Sequence, residues 1–202
     1  MREDTGSAAT RASNMHRHRL RLLDGMAVAV ARKGYPAVTV ADVVAAAGVS
    51  KRTFYEHFDT KEACLLACYD EGSSAMMAAI RQQLTAGPEP GGPTLMQAVL
   101  ETYLRFLDRA AQLAVTLLIE VQHSGAEGRR VYRRNNREFA LLICDAVTAG
   151  PVVTDGFDLD QAVALVGGVN ELVLAHAEDR PDVPFSTLSP TVLRFVRAVI
   201  RG

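Results

Sequence analysis

The 202-residue sequence predicts an all-α fold of about nine helices. Apolar residues recur at intervals of three and four through most of the chain, which places them on one face of successive helices. Clusters of Gly and Pro separate these amphipathic segments, and the densest is AGPEPGGP at 86–93. The β-branched stretches at 38–40 and 152–154 are too short to indicate a competing sheet. We therefore predict a small N-terminal helical module that continues into a larger helical bundle.

The N-terminal part divides into a polar leader and a first helix. Residues 1–14 are small and polar and lack apolar periodicity, so we predict a mobile leader that contributes little to the core. From His16 onward the apolar residues fall on one helical face. Lys33 and Gly34 then supply a stop signal after about 17 residues.

Two short helices and one long helix follow. Thr39 is a good N-cap for a helix that runs to Ala47, and Gly48 breaks this helix where a left-handed backbone is required. Ser50 caps a second helix of about two turns. A long amphipathic segment over 61–84 then runs up to the Gly/Pro-rich stretch.

Beyond the Gly/Pro-rich stretch the helical periodicity resumes. Turn clusters such as GPVVTDGFD and RPDVPFS separate the segments. The predicted helices span 94–109, 113–124, 127–149, 158–178 and 189–201.

Charge is distributed unevenly along the chain. The 22 Lys+Arg and 23 Asp+Glu give a net charge of −1, which over the whole chain argues against a dedicated nucleic-acid binder. Residues 1–61, however, contain 10 Lys+Arg and 6 Asp+Glu, whereas residues 62–202 contain 12 and 17. A balance of +4 beside one of −5 indicates a nucleic-acid-binding face on an otherwise acidic body.

Composition also predicts where the protein works. No segment approaches the roughly 18 uninterrupted apolar residues of a membrane span, and the N-terminus lacks the apolar core of a signal peptide. Three cysteines cannot form a fully paired disulfide framework, so a reducing cytoplasm is expected. Cys64 and Cys68 lie one helical turn apart; we expect them and Cys144 to be small buried residues, with a shared soft metal or oxidant as the alternative.

The segment 39–58, TVADVVAAAGVSKRTFYEHF, has the form of a helix-turn-helix motif. Gly48 permits the sharp turn, and Val49 can fill the space between the two helices. The second helix is then the reader, because its outward side chains combine cations and hydroxyls that suit base edges and phosphate oxygens. These side chains are Lys51, Arg52, Thr53, Tyr55 and His57, and Lys61 adds a cation at the start of the next helix.

The same segment resembles the TetR family of transcriptional repressors. The resemblance rests on the turn Ala47-Gly48-Val49-Ser50, on Tyr-x-His-Phe at 55–58 and on Lys61-Glu62, and it covers about 45 to 50 residues. Val44 stands where Ala is common in the family, and Arg52 where Gly is frequent.

The resemblance implies a role for each DNA-facing residue. Lys51 and Arg52 would face the major groove. The alternative is that Tyr55 and His57 only close the hydrophobic centre of a helical hairpin. Phosphate contacts would come from Thr39, Ser50, Thr53, Tyr55, His57 and Lys61.

The resemblance further implies a homodimeric repressor without a cofactor, which a small-molecule effector releases from a palindromic operator in double-stranded DNA. Residues 15–61 would form the DNA-binding domain and residues 62–202 the effector-binding and dimerisation domain. The helix that starts at Lys61 would couple the two. A DNA regulator without a small-molecule effector is the nearest alternative.

The last two helices, 158–178 and 189–201, are predicted to form the dimer interface. Gly167 and Gly168 lie in mid-helix at a cost of roughly 1 kcal/mol each, which close approach of a partner helix would offset. Apolar stripes on both helices suit a four-helix contact across a two-fold axis. The alternative is that both stripes fill the core of the monomer. The stripes comprise Val163, Val166, Val169, Leu172, Val173, Val192, Leu193, Phe195, Val196, Val199 and Ile200.

Polar residues set among apolar neighbours are the candidates for an effector pocket. They are Tyr103, Glu120, His123 and Asn170, each of which is alternatively an exposed or internally hydrogen-bonded helix residue. An arginine-rich helix follows, for which we predict a solvated face paired with Glu127 and Glu138; binding of an acidic effector is the alternative. Its arginines are Arg129, Arg130, Arg133, Arg134 and Arg137.

Catalytic motifs are scarce in the sequence. Glu120-Val121-Gln122-His123 matches the Glu-x-x-His element of di-metal helical bundles, but such sites need two copies and the chain has one. His-Glu-x-x-His, Gly-x-Ser-x-Gly and a phosphate-binding Gly-rich loop are not found. The protein is therefore predicted not to be an enzyme, with a helical metal enzyme using Glu120 and His123 as the alternative.

Overall fold

The computed structural model describes residues 4–87, 94–148 and 157–201, and all the regular elements in these ranges are helical. The predicted all-α class is confirmed. Short 3₁₀ turns at Tyr35–Ala37 and Phe185–Leu188 accompany nine α-helices in the described ranges. The helices are α1 (Asp4–Lys33), α2 (Val40–Ala47), α3 (Lys51–His57), α4 (Lys61–Ala86), α5 (Leu95–Arg109), α6 (Ala111–His123), α7 (Gly125–Thr148), α8 (Leu159–Asp179) and α9 (Ser189–Arg201).

The chain forms two compact units, Met1–Tyr69 and Asp70–Gly202, and α4 contributes residues to both. The functional division that the sequence predicts at residues 61 and 62 stays a prediction. None of the helices in the described ranges combines the length and the apolar character that crossing a bilayer requires.

Helix α1 begins earlier than predicted. It starts at Asp4 rather than near His16 and runs for 30 residues. Apolar periodicity reports burial, whereas Ala favours helix with or without burial, and Ala8, Ala9 and Ala12 lie in the early segment. The lack of apolar periodicity was therefore a poor guide to the secondary structure of residues 4–14, and the mobility of the leader stays a prediction.

The core of the Met1–Tyr69 unit is built where α1 meets the two short helices. Met26 of α1, Val43 of α2 and Phe54 of α3 are fully buried. Phe58 is buried, whereas Val49, predicted to fill the space between the helices, is half-buried. Burial of Phe54 and Phe58 anchors one face of α3 in this core, and the opposite face is exposed.

Gly25 lies where the backbone of α1 packs directly against α2. A Cβ atom at this position would lie 2.6 Å from the carbonyl oxygen of Val43 and 2.9 Å from the backbone nitrogen of Ala47. Carbon atoms do not approach backbone atoms this closely, so only glycine fits this crossing. The sequence pattern gives no sign of it, because glycine in mid-helix is more simply a weak point of the helix.

Thr39 and Asp42 form a capping box at the start of α2. The Thr39 backbone N–H donates to Asp42 Oδ2 at 2.9 Å, and the Asp42 N–H donates to Thr39 Oγ1 at 3.3 Å. Lys33 Nζ lies 2.7 Å from Asp42 Oδ1. The Lys33 ammonium, together with the Thr39 hydroxyl and amide, holds the pKa of Asp42 well below its ordinary range.

The low pKa of Asp42 predicts an acid-dependent loss of stability. The carboxylate stabilises the fold at pH values above its ordinary pKa of 3.8, and the stabilisation is lost as the pH falls below that value. Melting temperatures recorded from neutral to acid pH should converge for wild type and Asp42→Asn at low pH, with the variant less stable at neutral pH. Parallel profiles at all pH values would contradict this assignment.

Helices α8 and α9 bury much of the predicted dimer surface within their own chain. Val166, Val169, Val173, Val192, Leu193 and Val196 are buried, so for them the monomer-core alternative is correct. A Cβ atom at Gly168 would lie 3.0 Å from the ring of Phe195, so this glycine accommodates a neighbouring helix of its own chain. Gly167 faces open space, and Val163 remains 38% exposed.

Candidate nucleic-acid interface

The turn between α2 and α3 has the geometry that the sequence predicts. Gly48 adopts the left-handed conformation with φ of 61°, and its N–H bonds back to carbonyls of the last turn of α2. Arg21 of α1 donates from Nη2 to the Gly48 carbonyl oxygen at 2.8 Å. This contact ties α1 to the turn and was not predicted, because the sequence cannot show which arginine lies above the turn.

Helix α3 presents two different faces. Phe54 is fully buried, while Lys51, Arg52 and Tyr55 are exposed. The Arg52 Nε lies 3.0 Å from Glu56 Oε1 in a solvent-exposed pair, which contributes little stability and leaves the guanidinium able to exchange partners. The exposed face is therefore polar and cationic, as contact with DNA requires.

Tyr55 is not part of the hydrophobic centre. It is 57% exposed, and the apolar role is carried by its neighbours Phe54 and Phe58, whose ring centroids lie 5.8 Å apart. The alternative that Tyr55 closes the core is therefore wrong. A large exposed aromatic ring with a hydroxyl group is suited to contact a phosphate and the adjacent sugar.

His57 lies at the edge of the exposed face and is half-buried. Its ring centroid is 6.5 Å from that of His18 on α1 and 6.4 Å from that of Phe58. Burial, and then the neighbouring charges of His18 and Arg19, lower the pKa of His57. The lowered pKa favours the neutral form of the imidazole in the protein without DNA.

The hydroxyl residues at the helix starts have local partners. Ser50 Oγ caps α3 by accepting from the Thr53 N–H at 3.0 Å, and the Ser50 and Thr53 hydroxyls lie 3.0 Å apart. Thr39 caps α2. Their predicted phosphate contacts stay predictions, since each hydroxyl oxygen retains further hydrogen-bonding capacity.

Lys61 is directed toward backbone carbonyls of its own unit. Its Nζ donates to the Val38 carbonyl at 2.8 Å and to the Tyr35 carbonyl at 3.1 Å, and it lies 4.2 Å from the centroid of the Tyr35 ring. Two of the three ammonium donors are used. Lys61 therefore fastens the connection before α2, and its predicted phosphate contact depends on the remaining donor.

Lys61→Met is expected to lower the free energy of unfolding by about 1–3 kcal/mol, because two charge-assisted hydrogen bonds to backbone carbonyls are lost. Chemical denaturation measures this change. The control is Lys51→Met, which removes an exposed lysine from the neighbouring helix. Equal stability of the two variants would show that the Lys61 contacts are dispensable.

The cysteines of the first unit are buried. Cys64 Sγ lies 3.9 Å from the Leu22 carbonyl oxygen and Cys68 Sγ 3.7 Å from that of Leu23. Burial raises the pKa of the Cys64 thiol to about 12. The thiolate, which is the reactive form, is thus disfavoured at Cys64, in agreement with the interpretation of these residues as small buried side chains.

In the Asp70–Gly202 unit, the structure brings together two of the four predicted pocket residues. Tyr103 Oη donates to Asn170 Oδ1 at 3.2 Å. Asn170 Nδ2 in turn lies 3.3 Å from Tyr132 Oη and 3.4 Å from Asn136 Oδ1. We call Tyr103, Tyr132, Asn136 and Asn170 the Asn170 cluster. Sequence reasoning missed Tyr132 and Asn136, because only the packing of α7 against α8 shows that they face Asn170.

Glu120 and His123 do not join this cluster. His123 is exposed, and its Nδ1 lies 2.9 Å from the Ile119 carbonyl oxygen of its own helix. Glu120 is half-buried, and no hydrogen bond among the described residues links its side chain to the Asn170 cluster. Over the same ranges, no group of three or more His, Cys, Asp or Glu side chains is placed to hold a metal ion.

Two of the five arginines on α7 form ion pairs within the described part of the chain. Arg130 pairs with Glu127, and Arg134 pairs with Asp70 and Glu138. Arg129, Arg133 and Arg137 are exposed. The pairs support the interpretation of a solvated face.

An open groove between α4 and α5 was not predicted. It has a volume of about 490 Å³. Two arginines and two glutamines give it a polar and cationic character. Its lining residues are Ala79, Gln82, Gln83, Ala86, Thr102, Arg105, Phe106 and Arg109.

Comparison with known proteins finds similarity in the segment that carries the turn motif and in the fold. Residues 22–68 match the family model of bacterial regulatory proteins of the tetR family. The chain is 29% identical over 139 residues to the HTH-type transcriptional repressor KstR2 of Rhodococcus jostii, an alignment that covers 68% of this chain and 66%, just under two thirds, of that repressor.

Solved structures share the fold over nearly the whole chain. The fatty acid degradation regulator FadR of Bacillus halodurans has a TM-score of 0.73 at 19% identity, with 92% of this chain and 95% of that chain covered. FadR of Bacillus subtilis, solved in complex with stearoyl-CoA, has a TM-score of 0.72 at 19% identity, with 91% and 98% covered. The turn geometry, the motif match and the shared fold agree, since residues 22–68 are similar to the tetR family of bacterial regulatory proteins and the chain as a whole shares the fold of the two FadR structures.

Proposed function

We propose that the protein is a transcriptional repressor that binds operator DNA through α3 in the major groove. The observation that carries this proposal is the orientation of α3, which is anchored by Phe54 and exposes Lys51, Arg52 and Tyr55. Long cations and a hydroxyl-bearing ring on one free helix face match the donors that base edges and phosphates accept. A protein with this role works in the cytoplasm, where its DNA is.

Selection of bound sequences from random double-stranded DNA tests this proposal. A homodimer with two reader helices should enrich an inverted repeat whose half-sites lie one helical turn, or about 10 bp, apart. Enrichment of no common sequence would contradict the proposed function. Enrichment of a single half-site would contradict the proposed homodimer but would remain consistent with α3 as the helix that reads DNA.

The homodimer is proposed to form through α8 and α9. One face of α8 carries the exposed Val163 and the half-buried Gly167 and Leu174 at helical spacing, and a Cβ at Gly167 would meet no atom of the described residues within 4 Å. A partly exposed stripe with a glycine at its centre suits the close approach of a second helix. The buried stripes of these helices belong to the monomer core, so the interface is narrower than the sequence suggests.

Val163→Asp is expected to convert the dimer to a monomer and to weaken operator binding, because a carboxylate would be buried unpaired at a two-fold contact. Sedimentation velocity measures the change. Leu141→Asp on α7 is the control, because Leu141 is 45% exposed and lies outside the proposed interface. If the Val163→Asp protein sediments like wild type, this face of α8 is not the dimer interface.

The effector is proposed to be an amphipathic molecule. The Met77 cluster, which consists of Met77, Ile80 and Leu142 with the partly buried side chains around them, offers an apolar interior between α4, α5 and α7. Arg105 and Arg109 line the groove formed by two of the same helices. A fatty acyl-CoA combines an apolar acyl chain with the anionic phosphates of coenzyme A, and a FadR with this fold was solved in complex with stearoyl-CoA.

Stearoyl-CoA is therefore the first compound to test on the DNA complex. An effector can release DNA only if it binds the two conformations of the repressor with different affinity. We propose that α4, which belongs to both units, carries this coupling. Loss of the complex on addition of stearoyl-CoA would support the effector class. A stable complex with every amphipathic compound tested would favour the alternative of a regulator without an effector.

A further inference from the structure

The interior of the Asp70–Gly202 unit combines apolar and neutral polar side chains. Tyr103 belongs to both groups, since its hydroxyl bonds to Asn170 and its ring packs edge-on against Phe139 with centroids 6.5 Å apart. Phe139 and Tyr103 both pack against the Met77 cluster. The Asn170 cluster and the Met77 cluster are thus adjacent parts of one interior.

Asn135 is the one buried side chain of the described residues whose amide lacks partners. It is 1% exposed, and neither its Oδ1 nor its Nδ2 has a hydrogen bond in the described part of the chain. Asn135 lies next to Asn136 of the Asn170 cluster and one helical turn from both Tyr132 and Phe139 on α7. A buried amide without partners destabilises a fold unless a ligand or another group satisfies it.

The buried polar side chains of this unit are hydroxyls, amides and one imidazole. Within the described residues they include no Asp, Glu, Lys or Arg. The hydroxyls and amides of this interior can satisfy a neutral ligand group but bring no charge to an ionised one. The buried polar side chains of this unit are Ser73, Thr116, Asn135, Asn170 and His176.

We propose that Asn135 determines effector specificity by binding a neutral oxygen function, a hydroxyl or a ketone, on the apolar skeleton of the effector. This inference rests on the proposed function, since it takes the ligand of this interior to be the effector. Nδ2 donates to a ketone or hydroxyl oxygen, and Oδ1 accepts from a hydroxyl. A saturated chain would leave both atoms unpaired, so the site discriminates against it.

The ligand-free protein gives the first test. Asn135→Leu replaces the unpaired amide by an apolar side chain that branches at the same atom, Cγ, so the melting temperature should rise by about 2–4 °C. The control is Gln122→Leu, which removes an amide whose Nε2 already donates to the Leu118 carbonyl at 2.8 Å, and which should produce no rise. A lower melting temperature for Asn135→Leu would overturn the proposal, because it would show that Asn135 supports the fold.

Ligand selectivity gives the second test. Calorimetry with stearoyl-CoA and with CoA thioesters of hydroxystearic and oxostearic acids, oxygenated at different carbons, compares equal chains with and without the oxygen function. At least one oxygenated thioester should bind wild type about 10-fold more tightly than stearoyl-CoA. This advantage should vanish in Asn135→Leu and persist in Gln122→Leu. Equal affinities in wild type, or a preference that survives in Asn135→Leu, would overturn the proposal.

Operator binding separates this inference from the proposed function. When no thioester is present, Asn135→Leu and Gln122→Leu should each bind the selected operator with the affinity of wild type. Operator binding without any thioester preference would overturn the role of Asn135 and leave the repressor proposal intact. A thioester preference that depends on Asn135 in a protein that binds no operator would support the specificity site and contradict repression.

Discussion

Replacing Lys51 and Arg52 together by Ala is expected to weaken operator binding by about 100-fold or more, because each lost base or phosphate contact costs about 1–3 kcal/mol. Both side chains are exposed on α3, and the Arg52–Glu56 pair is a surface contact of little energetic value. The melting temperature should therefore remain close to that of wild type. Fluorescence anisotropy and a thermal melt on the same preparation measure the two quantities.

The matched control removes two arginines from the other unit. Arg81 and Arg180 are exposed, and their double replacement by Ala changes the net charge by the same amount. If operator contacts are made by α3, the control variant should lose little operator affinity. If binding depends only on the total charge of the protein, the control should lose much of its operator affinity. Similar losses for the two double variants would contradict the assignment of α3 as the reader.

Gly25→Ala is expected to destabilise the Met1–Tyr69 unit by about 3 kcal/mol, because the added methyl group overlaps backbone atoms that cannot move independently. The Cβ would lie 2.6 Å from the Val43 carbonyl oxygen and 2.9 Å from both the nitrogen and the Cβ of Ala47. Helix α1 must then separate from α2, which holds the motif in place. Stability and operator affinity should fall together, although Gly25 is a core residue and not a proposed DNA contact.

Gly72→Ala provides the control for this substitution. Gly72 is also in the interior of a helix, but a Cβ there would meet nothing within 4 Å. The same change should stabilise the protein by about 0.5–1 kcal/mol through helix propensity alone. Chemical denaturation of both variants separates the packing effect from the propensity effect. A Gly25→Ala protein as stable as wild type would show that α1 and α2 can pack farther apart.

The sequence predicted those features that depend on local pattern. Amphipathic spacing gave the all-α class, and the capping residues Thr39 and Ser50 with Gly48 located the two short helices. These succeed because caps and left-handed turns need particular residue types at particular positions. The predicted start of α1 was wrong for the converse reason. An Ala-rich helical segment that buries no face leaves no periodic pattern of apolar residues in the sequence.

Features that depend on long-range packing were out of reach. The contact of Arg21 with the Gly48 carbonyl joins residues 27 positions apart, and the Tyr103–Asn170 hydrogen bond joins residues 67 positions apart. The position of Lys61 at a helix start predicts a side chain that faces DNA, whereas its ammonium group donates to two backbone carbonyls of the loop before α2. Asn135 gave no signal, because a single Asn on an amphipathic helix does not reveal whether its amide has partners.

The affinity ratio between the selected operator and a scrambled duplex of the same length tests the repressor proposal most directly. Anisotropy titrations at about 150 mM salt should give a ratio of about 1,000 or more, with both affinities falling steeply as salt rises. Equal affinities for the two duplexes, or no complex with either, would contradict the proposal that α3 reads a specific DNA sequence.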